Sequence, residues 1–170
     1  AVIAAVADDL VHVSDGLTFR TRHVANGQEA FVPIHGEVSD FVGSRHHDLI
    51  HEVVVDRDLA FCYLQGEPLL DNYWGWRSYD SVPAHRLVAV DRATGAMRWT
   101  HHEFKGRTKE ETDFVAGLSI SQAPLVRGDT LYAAGTVYTG SFHHWLVAIE
   151  RSTGYILSLI HISEPTRLEP

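Results

Sequence analysis

The stretch Arg86 to Trp99, RLVAVDRATGAMRW, constrains the fold more than any other part of the chain. Leu87, Ala89 and Asp91 alternate with Val88 and Val90 at the period of two that a pleated strand imposes, so successive side chains point to opposite faces of a sheet. Ala93-Thr94-Gly95 then supplies a turn, with glycine where φ can become positive, and Ala96 to Trp99 forms the return strand. The same frame recurs at His144 to Ile156, HWLVAIERSTGYI, where Ala148, Glu150, Thr153 and Gly154 stand where Ala89, Asp91, Thr94 and Gly95 stand. A weaker copy runs from Leu17 to Phe31, keeping Gly27 and an aromatic side chain, Phe31, in the position of Trp99. Upstream of each copy lies a Val followed three residues later by Asp and then an apolar run: Val6/Asp9, Val55/Asp58 and Val126/Asp129.

The repeating unit is therefore two hairpins, read as four antiparallel strands, A to D, in an up-and-down meander. In the first unit the strands are AVIAAV, LVHV, LTFRTRH and QEAFV; in the second they are EVVV, LAFCYL, RLVAVD and AMRW. The third has APLV, LYAAGTV and WLVAIE, followed by a D strand that lacks its tryptophan. A four-stranded sheet that recurs in this way buries its faces only against its neighbours, which is the logic of a propeller blade. The expected fold is all-β, an incomplete β-propeller of about three blades near residues 1–34, 52–102 and 118–156. Because three blades do not close a ring, and because the chain starts within a strand, the remaining blades of a parent propeller are its expected partners.

Ala89-x-Asp91-x-x-Thr94-Gly95-x-x-x-Trp99 resembles the tryptophan-docking motif, A-x-D-x-x-T-G-x-x-x-W, of the PQQ-like propeller family. That family includes relatives of the pyrroloquinoline-quinone (PQQ) dehydrogenases and of the outer-membrane assembly lipoprotein BamB. The match in the second copy is complete. The resemblance implies that Trp99 packs between adjacent blades, that the small Ala89 leaves room for it, and that the protein is periplasmic or otherwise exported. The third copy departs at Glu150 and at Ser158, and the first keeps only the glycine.

Residues Leu157 to Arg167, LSLIHISEPTR, resemble the translation of a transposon-based sequencing adapter, beginning one residue before the tryptophan position. Residues 157–170 are accordingly expected to be a non-native tail with no docking side chain and no function for His161. Its apolar Leu157, Leu159 and Ile160 still permit some pairing at an open sheet edge.

A net charge of −8 with scattered basic residues argues against a nucleic-acid footprint, and no apolar run is long enough to span a membrane. The single cysteine, Cys62, lies in an apolar strand and reads as a small buried hydrophobe. Alternation of turns in a meander puts the long B–C and D–A loops on one face and the short A–B and C–D turns on the other, so ligand or partner contacts are expected on the long-loop face. The richest loop there is Gln65 to His85, crowded with Tyr73, Trp74, Trp76, Arg77 and Tyr79. These aromatics either anchor the loop to the propeller or offer rigid area to a ligand or partner. Twelve histidines include the pairs His46-His47, His101-His102 and His143-His144, but strand neighbours point to opposite faces and no metal-binding spacing is present, so no metal site is assigned. The charged run Lys105 to Asp113 reads as a solvated loop.

Two functions follow. One is a noncatalytic scaffold that binds a protein or polymer on the long-loop face and carries no cofactor in this stretch. The other is part of a PQQ-dependent quinoprotein oxidoreductase, with Trp74 or Trp76 near the quinone and with calcium. The vicinal cysteines that the resemblance associates with such enzymes do not occur here, nor does a C-x-x-C-H haem motif. The adapter reading has a direct check: the parent gene, amplified independently, is expected to diverge from LSLIHISEPTR after Ile156, and recovery of that same sequence would refute it.

Overall fold

Strand alternation and glycine-marked turns produce three antiparallel sheets in the computed structural model, which describes residues 3–36, 52–65, 85–101, 106–120, 123–138 and 142–162. The first sheet runs β1 (Ile3–Ala7), β2 (Leu10–Ser14), β3 (Thr18–His23) and β4 (Ile34–His35), in that spatial order. The second runs β5 (Val53–Asp56), β6 (Leu59–Gln65), β7 (His85–Asp91) and β8 (Met97–Thr100). A helix, α1 (Lys109–Ala116), precedes the third sheet, in which β9 (Ser119–Ile120) and β10 (Leu125–Arg127) both pair with β11 (Thr130–Tyr138), followed by β12 (Phe142–Glu150) and β13 (Ile156–Ile162). The three sheets are blades of an incomplete β-propeller.

The turns repeat as closely as the strands. Each A–B hairpin has a two-residue loop, Asp8-Asp9, Arg57-Asp58 or Gly128-Asp129, whose first residue has positive φ (57°, 50° and 61°). Each C–D loop closes when a glycine N–H donates to the carbonyl four residues back: Gly27 to His23, Gly95 to Asp91 and Gly154 to Glu150, at 2.8, 2.8 and 2.9 Å. The residue after that carbonyl then donates its own N–H to the A–B turn: Val24 to Asp9, Arg92 to Asp58 and Arg151 to Asp129, at 2.8, 2.9 and 2.9 Å. Both kinds of short turn therefore lie together on one face of every blade.

Burial explains why the middle blade has the most apolar strands. Leu59, Phe61 and Tyr63 of β6 and Leu87 and Ala89 of β7 belong to a core shared with the third blade, which supplies Leu131, Ala133, Val147 and Ile149. The alternate residues, Ala60, Cys62 and Leu64 with Val88 and Val90, pack toward the first blade with Phe19 and Val53. A sheet covered on both sides needs apolar residues at both phases of its period, which is why LAFCYL reads as a continuous run.

Two expectations change. Strand D of the first blade, expected as QEAFV, is broken: Glu29 bridges to Arg22, Ala30 N–H donates to the Thr21 carbonyl, and pairing resumes only at Ile34–His35. Pro33 lies in the gap and has no N–H to give the ladder. The charged run read as a loop instead contains α1, because Thr108 caps it by accepting Glu111 N–H at 3.1 Å while the Glu111 carboxylate accepts Arg107 N–H at 2.7 Å. The T-x-x-E signal of a capped helix was there to be read. Residues 157–162 pair with β12 within β13, as their apolar side chains permit at an open edge, with a register shift between Ala148 and Ile149. Ser158 faces Ala148 as Trp99 faces Ala89, and both D strands shift register one residue earlier.

Gly95 has a second constraint besides its φ of +70°, because a Cβ there would lie 2.3 Å from Cγ of Phe31 in the first blade. At Gly27, with nearly the same φ, a Cβ would meet nothing within 4 Å. Gly27→Ala is expected to cost about 1–2 kcal/mol from backbone strain. Gly95→Ala should cost about 1–3 kcal/mol more, through overlap with Phe31. Denaturant unfolding of both variants checks the difference, and equal losses would show that Phe31 does not seat on Gly95.

Candidate functional site

Among the described residues, the most elaborate polar arrangement lies at the junction between the second and third blades, around Trp99. The register shift in β8 brings Trp99 opposite Ala89, where the absence of a larger side chain leaves space, and the indole is 4% exposed. It packs on Phe61 with ring centroids 5.9 Å apart, and its Nε1–H donates to the Arg151 carbonyl of the third blade at 3.0 Å. Trp99 therefore contributes both apolar area and an inter-blade hydrogen bond.

Asp91 holds the preceding turn. Its Oδ1 accepts from the N–H groups of Ala93 and Thr94 at 2.9 Å and from the Thr94 hydroxyl at 3.0 Å, while Oδ2 pairs with Arg98 at 2.7 Å. Burial opposes its ionisation, but the donors from Thr94, Ala93 and Arg98 outweigh that and keep the carboxyl below the usual range. Glu150, one methylene longer, accepts from the Thr153 hydroxyl, and Gly154 closes the same loop.

Three arginines that the motif does not specify tie the blades together. Arg151, 7% exposed, sends Nη2 to Asp58 Oδ1 at 2.7 Å and Nη1 to the Asp56 carbonyl at 3.3 Å, both in the second blade. That guanidinium holds the Asp58 carboxyl below its ordinary value. Arg92, at the equivalent position one blade earlier, pairs with Asp8 of the first blade and also donates to the Arg57 carbonyl. Arg57 reaches the other way, to the Gly128 carbonyl at 2.6 Å and Asp129 Oδ1 at 3.0 Å. Arg92 and Arg151 occupy unspecified positions of the motif. Their signal was the repeated acid-arginine pair, Asp91-Arg92 and Glu150-Arg151.

Several histidines serve the sheets. His12 Nδ1 meets Thr21 Oγ1 at 3.1 Å, His144 Nδ1 meets Thr136 Oγ1 at 3.1 Å, and His35 Nδ1 meets Thr18 Oγ1 at 3.3 Å, each across a strand pair. Burial, then the nearby Arg92 charge, pushes the pKa of His12 down. His101 Nδ1 accepts Leu87 N–H at 2.9 Å. Cys62 is fully buried, which raises its thiol pKa and leaves it packed as a small apolar group. Among the described residues no three His, Cys, Asp or Glu side chains converge as metal donors. The aromatic cluster Tyr73, Trp74, Trp76, Arg77 and Tyr79 lies outside the described residues, as do His46, His47 and His102.

Fold and junctions together define a run of propeller blades joined through their short turns. Among solved structures, the chain is similar to the quinohemoprotein alcohol dehydrogenase from Comamonas testosteroni, with a TM-score of 0.57 and 15% identity over 98% of this chain. The alignment takes in 22% of that enzyme's chain, so the present chain spans well under half its length. The likeness shows a PQQ-like β-propeller fold and, at this identity, the fold alone. No family model matches the chain, and no curated protein matches it.

Trp99→Ala should destabilise the protein by about 3–5 kcal/mol, as other large aromatic truncations in cores do. Trp99→Phe keeps most of the ring contact and removes the donor to Arg151, so a loss of about 1–2 kcal/mol is expected. Thermal and denaturant unfolding measure both, and a Trp99→Ala variant as stable as the parent would remove Trp99 from the junction.

Proposed function

We propose that these blades belong to a noncatalytic PQQ-like propeller that acts as a scaffold or binding module, with a protein or polymer held on the long-loop face. One observation carries this reading: the buried or paired acids and histidines of the described residues are engaged in holding turns and blades. Asp91 holds a turn, Asp58 holds Arg151, and His12, His35 and His144 meet threonines across strands. Groups committed in this way to structure are poorly placed to exchange protons with a substrate. The aromatics Tyr73, Trp74, Trp76 and Tyr79, with Arg77, are the proposed contact surface for the partner. The resemblance of the docking motif supports placing the protein in the periplasm or another exported compartment, where the remaining blades would complete the ring.

The second reading, part of a PQQ-dependent oxidoreductase, is favoured by the structural likeness to a quinohemoprotein enzyme. The two separate in one assay of the full-length protein that carries these blades, supplied with PQQ and calcium. A scaffold is expected to bind no quinone and to show no dye-linked oxidation of alcohols or sugars. Activity that appears on reconstitution and disappears in Trp74→Ala or Trp76→Ala would overturn the scaffold reading.

A further inference from the structure

At both internal junctions, the residue after the turn acid sends a guanidinium back to the A–B turn of the preceding blade: Arg92 to Asp8 and Arg151 to Asp58. The third blade presents the next acceptor in the series. Asp129 holds Arg57 through Oδ1 at 3.0 Å, yet its side chain is 86% exposed. Exposed Leu125 lies close by on β10, within the same A–B hairpin. At the other end of the run, the arginine position is taken by Val24, which is 54% exposed. Its backbone N–H is fixed to Asp9 just as that of Arg92 is fixed to Asp58, so the main chain at residue 24 is held against its own A–B turn in the same way.

We propose that the open face of the third blade docks a further blade of this kind, whose residue after the turn acid is an arginine that lands on Asp129. Charge complementarity selects this occupant over a second copy of the chain, because a second copy would present Val24 where both internal junctions present an arginine to the A–B turn. The two open faces of the chain are thus mismatched to each other, and head-to-tail self-association lacks its ion pair. The inference rests on the blade fold and applies to a scaffold and an oxidoreductase alike, so the quinone assay and the test below fail independently.

The test supplies the missing arginine. The chain, Val24→Arg, Val24→Gln and the double variant Val24→Arg/Asp129→Asn are compared by sedimentation velocity over a range of concentrations, with circular dichroism confirming the fold of each. Val24→Arg is expected to self-associate roughly fivefold more tightly than Val24→Gln at low salt, about what an exposed charge pair supplies. The gain should vanish at high salt and in the double variant. Association of Val24→Arg no tighter than that of Val24→Gln, or a gain that survives Asp129→Asn, would overturn the proposal. So would tight head-to-tail association of the unaltered chain, since Val24 would then fill the face without an arginine.

Discussion

The backbone N–H at the first residue of each C–D loop, at Val24, Arg92 and Arg151, finds its acceptor outside its own hairpin, on the A–B turn carbonyl. This one bond, repeated in every blade, fastens the outer pair of strands to the inner pair at their shared end. It also fixes where the next side chain begins. In two of the three blades that side chain is an arginine, and the fixed start is what lets a long, flexible cation reach the neighbouring blade without a large loss of freedom. The bond within a blade thus sets up the bond between blades.

Arg151 shows how much one residue joins. Its N–H holds Asp129 within the third blade, its carbonyl receives the Trp99 indole from the second, and its guanidinium returns to Asp58 and Asp56. The tryptophan and the arginine are therefore one device at this junction. At the junction between the first and second blades the device is simpler: Phe31 lies over Gly95 but has no N–H to donate, and Arg92 provides the polar link. Apolar contact is common to both junctions, and among the described residues the indole hydrogen bond is found at the second of them.

Much of the fold was legible because its signals are local. Period-two alternation marked β7, a continuous apolar run marked β6, and Gly27, Gly95 and Gly154 marked loops that need positive φ. Ala89, Asp91, Thr94, Gly95 and Trp99 stand out as a set in the sequence, and they lie on β7, the turn after it and β8. What escaped depends on partners distant in sequence. The arginines show their purpose only when blade is placed against blade, and the histidines only when strand register sets each opposite a threonine. Helix α1 was hidden for a different reason: Phe114 and Val115 are adjacent apolar anchors in a charged run and give no long stripe. Pro33, which has no N–H to give the ladder, is the local sign of the break in the first D strand.

The middle blade has no free face, and this sets the order in which the run can come apart. An outer blade can detach by giving up one interface, whereas the middle sheet is uncovered only after a neighbour has left. Its amide protons can exchange with water only through openings that have already cost a whole junction, which puts the most apolar strands of the chain among the last to unfold.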